Sequence, residues 1–345
     1  MKKKSNITIH DIAKILKISP STVSRALNDS NRISDVTKRK VKELAKKLNY
    51  QPNIIATHLR TGKSKTIGVI VPHINRNFFS NVIGGIEVTA SSSGYKVIIA
   101  QSKETLKKEI ESINAFINAR VDGILVSISI ETNTVEHFKL VKKHGIPILF
   151  FDRAPDNFEA SKVIINDFMG AYKAVKHLIE SGYKKISHFA GPQQLSIYRN
   201  RLAGYLQALK DSNIEIDEDI IYYDTIIFEK GYKVCEQIIN SNKKVEAIFS
   251  ASDISALGAI QCIKQKGYKI PDNIAIVGFA NEPFDEILEP RLTSVEQHSY
   301  EIGQKVTELL IEEITTPQHQ RKYKTIVIEP ELIIRESSMR KIFHI

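Results

Sequence analysis

The chain has no tryptophan, two cysteines and three methionines in 345 residues. Cys235 and Cys262 stand outside any CxxC or Cys/His spacing, which excludes a disulfide framework or a zinc site and points to a reducing, cytoplasmic compartment. Long apolar runs are also missing. Stretches such as residues 67–71 fall far short of the ~18–20 residues a membrane span needs. The basic start, Met1 to Ser5, leads into polar sequence rather than the core of a signal peptide. Catalytic signatures are absent too: there is no GxSxG, HExxH, Walker A or GxGxxG pattern, and the histidines form no metal spacing. No catalytic residue, metal or cofactor is expected, and the chain does not read as an enzyme. With 42% hydrophobic and 26% charged residues, it is neither collagen-like nor wholly disordered, and its length suggests two or three globular units.

What is present is an uneven charge. Residues 1–65 carry 16 basic against 4 acidic side chains, a balance of +12, and the other 280 residues carry −2. A small cationic head on a near-neutral body suggests a polyanion-binding module attached to a sensing unit.

Within the head, Thr8 with Asp11 three residues later is a helix start, and Ile12, Ile15 and Leu16 follow at helical spacing. Ser19 caps a second helix with Pro20 at its first position. There Val23, Ala26 and Leu27 form an apolar stripe, and Ser21, Ser24, Arg25 and Asn28 fall on the other face. Ser34 caps a third helix whose Val41, Leu44, Ala45 and Leu48 face inward. Two short helices with a tight turn, the second showing small polar residues and an arginine, form a helix-turn-helix. Arg25 can pair with a guanine edge in the major groove, and Ser21 can contact either base type.

Three runs, Thr8-Ile9-His10-Asp11-Ile12-Ala13, residues 18–28 (Ile18 to Asn28) and residues 48–53 (Leu48 to Asn53), resemble the headpiece of the lactose/galactose repressor (LacI–GalR) family. Leu59-Arg60-Thr61-Gly62-Lys63, followed by Thr66-Ile67-Gly68-Val69-Ile70, is similar to its hinge and first core strand. One departure is Leu16-Lys17, where the family usually has Ala-Gly; a non-glycine at positive φ is expected there. The resemblance implies that Ile9, Pro20, Ser21 and Arg25 approach base edges, with Asn28 and Arg32 near bases or backbone. It also implies that Thr8, Ser19 and Ser24 sit on phosphates. Asn53 to Arg60 would form a hinge helix that orders when two copies pack on DNA, with Asn53 as its cap, Ala56 in the contact and Leu59 as a minor-groove wedge. The expected domains are a headpiece at 1–52, a hinge at 53–65 and an α/β core at 66–345.

The core alternates β-branched runs with helix-length amphipathic stretches. Strands are expected near 66–71, 96–100, 123–126, 147–151, 185–189, 247–250 and 274–278. The alternation calls for parallel sheets covered by helices, and 280 residues call for two lobes. Lobe 1 is placed at about 66–162 plus 293–320, and lobe 2 at about 163–292 plus 321–340. The pattern resembles the periplasmic sugar-binding-protein fold. Ligands in such folds sit at the carboxyl ends of strands. Strand ends and family resemblance together nominate Arg76, Phe78, Phe79, Asp152, Arg153, Arg201 and Asp253 as effector contacts.

Three departures bear on the ligand. Arg76-Asn77 replaces the Asn-Pro of many sugar-binding relatives, Ser252 stands where Asn is common, and Ala280 stands where an Asp often receives hydroxyls. With Arg76, Arg153 and Arg201 present, an anionic effector such as a sugar phosphate or uronate is the expectation these residues raise, with a neutral sugar or a purine as alternatives. The carboxylates Glu282, Asp285, Glu286 and Glu289 read as a solvated helix face. The expected partners are an operator duplex, a small-molecule effector and a second copy of the chain, with no membrane.

Overall fold

Thr8 and Asp11 cap the first helix reciprocally: the Thr8 hydroxyl accepts from the Asp11 N–H at 3.4 Å, and the Asp11 carboxylate accepts from the Thr8 N–H at 2.8 Å. The structure is a computed structural model that describes residues 7–50 and 63–340. It divides into two units, Met1–Ser64 and Lys65–Ile345.

The first unit holds α1 (Ile9–Leu16), α2 (Pro20–Leu27) and α3 (Asp35–Lys47). Ser19 and Ser34 cap the second and third through the N–H groups of Thr22 and Thr37. Ile12, Ala13, Val23, Ala26, Val41 and Ala45 are buried together where the three helices meet. Ile15, expected inside, is 56% exposed, because the three-helix core is too small to cover a second side of α1. Lys17 closes α1 in the left-handed region at φ 52°, as its place in the turn requires.

The second unit contains two six-stranded sheets. In chain order the strands are β1 (Thr66–Val71), β2 (Lys96–Gln101), β3 (Gly123–Val126), β4 (Ile148–Phe151), β5 (Lys162–Ile165), β6 (Ile186–Phe189), β7 (Ile221–Tyr222), β8 (Ala247–Ser250), β9 (Ala275–Phe279), β10 (Thr293–Glu296), β11 (Thr325–Ile328) and β12 (Glu331–Ile333). The first sheet runs β11-β5-β4-β3-β1-β2, all parallel. The second runs β12-β10-β9-β8-β6-β7, parallel except that β12 is antiparallel to β10. Helix pairs cover the sheets, as buried parallel strands require. The helices Asn77–Ser92 and Ser299–Thr315 approach so closely that a Cβ on Gly85 would lie 2.2 Å from the Tyr300 carbonyl oxygen.

The chain crosses between sheets at residue 166, at 297–298 and at 329–330. This redraws the expected lobe division in three places. β5 pairs in the first sheet, β10 pairs with β9 in the second, and β11 returns to pair with β5 in the first. Short β-branched runs look alike along the chain, and only their pairing partners decide which sheet they join.

Candidate functional site

On the first unit, Ser21, Ser24, Arg25 and Asn28 share one face of α2; Ser24 is half-buried and the others are exposed. Several of these polar groups are already engaged. The Ser21 hydroxyl lies 2.8 Å from that of Ser19, and the Asn28 amide donates to the Ser24 carbonyl oxygen at 2.7 Å. Thr8 and Ser19 spend their hydroxyls as caps. Arg25 and Arg32 are exposed, and among the described residues the Arg25 side chain has no hydrogen-bond or ion-pair partner. Ile9 and Pro20 are partly buried at the edge of the small core. The expected hinge residues Asn53, Ala56 and Leu59 lie outside the described residues. The arrangement is a rigid three-helix block whose second helix presents small polar groups and one free guanidinium, the equipment of a major-groove reader.

In the second unit a cavity of about 320 Å³ opens at the carboxyl ends of the strands of both sheets. Arg76, Phe78, Phe79, Asp152 and Arg153 line it from the first sheet, and Arg201 from the second. Asp253 does not. It is 1% exposed, and its carboxylate accepts from the Ser294 hydroxyl at 2.8 Å and from the Glu282 N–H at 3.2 Å. Asp253 therefore anchors the loop after β9 from behind; Gly278 beside it has no room for a side chain, since a Cβ there would lie 1.8 Å from its carboxylate. A larger cavity of about 480 Å³ lies against residues 184–186 and 214–220 at the amino end of β6. Its carboxylates and lysines include the Lys185–Asp217 ion pair, and it lies at the end of the sheet opposite the usual ligand position.

The cleft is charged, and two of its three arginines are matched within the protein. Arg201 is 4% exposed; its Nε donates to Asp167 Oδ1 and its Nη1 to the Ala251 carbonyl oxygen, both at 2.8 Å. Arg153 Nη1 lies 2.9 Å from each oxygen of the Glu104 carboxylate. Asp152 accepts from the Ser127 hydroxyl at 3.1 Å. Burial raises the Asp152 carboxyl against the pull of Arg153 and Arg201, and raises Asp167 to about 6. Burial, reinforced by the Asp253 charge, pushes Glu282 up to about 7, while Arg76 opposes it.

The sequence reading missed several lining groups. Tyr198 sits three residues before Arg201, one turn back on the same helix face, a spacing that could have flagged it. Glu104, Ile130 and Gln297 carry no such signal. The acidic run after β9 is not a solvated helix face. It holds a single turn, Pro283–Glu286, with Asp285 fully buried and Glu282 lining the cleft. Burial, together with the nearby Asp253 carboxylate, pushes the Asp285 carboxyl well above the usual carboxylate range.

Residues 8–53 match the profile described as bacterial regulatory proteins, lacI family, and residues 64–336 match that of periplasmic binding proteins and the sugar-binding domain of the LacI family. The chain is 33% identical over 340 residues to the HTH-type transcriptional repressor CytR of Escherichia coli K12, covering 98% of each. It is 31% identical over 330 residues to the HTH-type transcriptional repressor PurR of Mannheimia succiniciproducens, covering 96% of this chain and 98% of that one. Its fold is like that of the lac repressor dimer bound to operator and an anti-inducer, with a TM-score of 0.86 at 24% identity over 97% of this chain and all of the other. A helix-turn-helix block joined to a two-sheet core with a cleft at its strand ends, matched end to end by named repressors, places the chain in the LacI family of DNA-binding transcription regulators.

Proposed function

We propose that the chain is a homodimeric repressor that holds a near-palindromic operator with two headpieces and changes its grip when a small effector fills the cleft. One observation carries the effector half: both sheets send polar and aromatic side chains to one shared cavity. The aromatic faces of Phe79, Tyr198 and Phe279 surround Arg153 and Arg201, which are already balanced by Glu104 and Asp167. Such a lining suits a neutral polyhydroxylated molecule, of sugar or nucleoside type, better than an anion. Arg76, Phe78, Asp152, Arg153 and Arg201 are the contacts we assign to it.

For the DNA half, Ile9, Pro20, Ser21 and Arg25 are assigned to base edges and Thr8, Ser19 and Ser24 to phosphates. Asn28 and Arg32 lie beside them, and Asn53, Ala56 and Leu59 complete the hinge. The dimer is supported by an exposed apolar edge. β2 ends the first sheet with Ile98 and Ile99 each 45% exposed, and Ile74 and Val88 are each 50% exposed. Two copies of that edge meeting about a two-fold axis would cover apolar surface that a monomer leaves in water. An effector changes DNA affinity only through its differential affinity for the two states of such a dimer. The protein would act in the cytoplasm, on the nucleoid when bound to DNA.

Selection from random duplexes, with and without candidate ligands, tests the DNA half: a symmetric motif should emerge. A thermal-shift panel of sugars, nucleosides, sugar phosphates and uronates tests the other; a ligand at ~100 times its Kd should add about 2.7 kcal/mol. Enrichment of no symmetric motif in any ligand condition would sink the reading.

A further inference from the structure

The cleft contains three arginines, which would ordinarily make it a receptor for anions. Two of them are neutralised by the protein itself. Arg201 is held by Asp167 within the second lobe. Arg153 is held by Glu104, which lies in the loop between β2 and the helix Leu106–Asn118.

Glu104 is more than an incidental partner. Its Oε2 also accepts from the Ile130 N–H at 2.8 Å, so one carboxylate joins the loop after β2, the loop after β3 and the Arg153 guanidinium. The backbone pays a conformational penalty to bring it there: Lys103 and Glu104 lie consecutively in the left-handed region, at φ 51° and 61°, where non-glycine residues are disfavoured. The loop is tied down at its base, where the Ser102 and Lys103 N–H groups donate to the Val71 and Pro72 carbonyl oxygens. Arg153 in turn is 8% exposed, so a ligand reaches its charge only in competition with Glu104. The Arg153 Nε is itself buried, has no hydrogen-bond partner among the described residues, and lies 3.7 Å from an Asp152 carboxylate oxygen.

We infer that Glu104 tunes the charge the cleft accepts: by occupying Arg153 it withholds that guanidinium from anionic ligands and biases the cleft toward neutral ones. The inference rests on the cleft being the effector site. It assigns to Glu104 the specificity that inspection of the three arginines alone would assign the other way.

Inorganic phosphate is the probe, because it needs no knowledge of the effector. The full-length chain is melted in phosphate and in chloride at matched ionic strength, so that binding to the basic headpiece is common to all variants. Wild type should show no phosphate-specific stabilisation of the core transition. Glu104→Gln keeps an oxygen for Arg153 and Ile130 but removes the charge. It should gain phosphate stabilisation with half-saturation at least tenfold below any seen for wild type. The double variant E104Q/R153Q should lose that gain. E104A carries the same comparison if the glutamine variant does not fold. A phosphate response no stronger in E104Q and E104A than in wild type overturns the inference, as does a gain that survives the loss of Arg153. The outcome is separable from the effector reading: a ligand panel with no neutral binder sinks that reading, and the phosphate comparison still reports on Glu104.

Discussion

The guanidinium of Arg201 lies over the ring of Phe279, 3.7 Å from its centroid, while its edge is taken by Asp167. A planar cation stacked on one face and bonded along its edge is a role lysine cannot fill. Arg201→Lys should cost on the order of 3 kcal/mol, since it leaves the buried Asp167 carboxylate poorly paired. Urea unfolding of the core transition measures this; a loss below ~1 kcal/mol would mean the pair behaves like a surface one.

Arg25 presents a guanidinium with no partner among the described residues on the exposed face of α2. Arg25→Ala should weaken operator binding by about 1–3 kcal/mol and relax preference at one base pair per half-site. Competition binding against single-substituted operators checks it. Equal weakening on every sequence would make Arg25 a phosphate contact instead.

Lys17 closes the first helix at φ 52°. Lys17→Gly removes the steric penalty of that conformation and adds unfolded-state entropy, so the headpiece should gain about 0.5 kcal/mol. Circular dichroism of the headpiece melt reads the change, and operator affinity should not move. A lower melting temperature would show that the lysine side chain itself stabilises the turn.

Glu282 has its carboxyl raised from 4.5 to about 7 by burial and by Asp253, against Arg76. The folded chain therefore holds a proton there that the unfolded chain has already released, and it loses stability as pH rises through that window. Glu282→Gln should match wild type near pH 4 and exceed it at pH 8, by on the order of 1–2 kcal/mol after discounting for partial exposure. Melting curves across pH 4–8 give the difference; a constant gap between the two proteins would remove Glu282 as its source.

Much of this architecture is visible in the residues alone, and the exceptions have physical causes. β1, β3 and β8 fall where β-branched runs begin and end, because buried parallel strands are apolar throughout and their flanks are not. β5, β11 and β12 were not marked: they are short runs at or next to sheet edges, and only their pairing partners make them strands. The helix Ser299–Thr315 was likewise not marked. In the cleft, arginines and aromatics at strand ends were readable by their chemistry. Glu104 was not, since it sits in the charged run Lys103-Glu104-Thr105, which has the composition of a solvated loop. Asp253 carried a strong local signal, a carboxylate opening a helix beyond a strand, yet points into the protein; side-chain direction there is set by Ser294 and Gly278, which arrive from elsewhere in the chain.

The three passages of the backbone from one sheet to the other, at residue 166, at 297–298 and at 329–330, have a mechanical result. A single covalent connection would let the halves swivel freely. Three side by side behave as a strap hinge, in which torsion stretches the outer straps and flexing stretches none. Jaw-like opening then becomes the soft mode of the core, so an effector of the kind proposed above would be read out as an angle rather than as a rotation or a slide. The same straps mean that neither half is one uninterrupted piece of polypeptide, and a chimera exchanging halves with a relative must be spliced at all three.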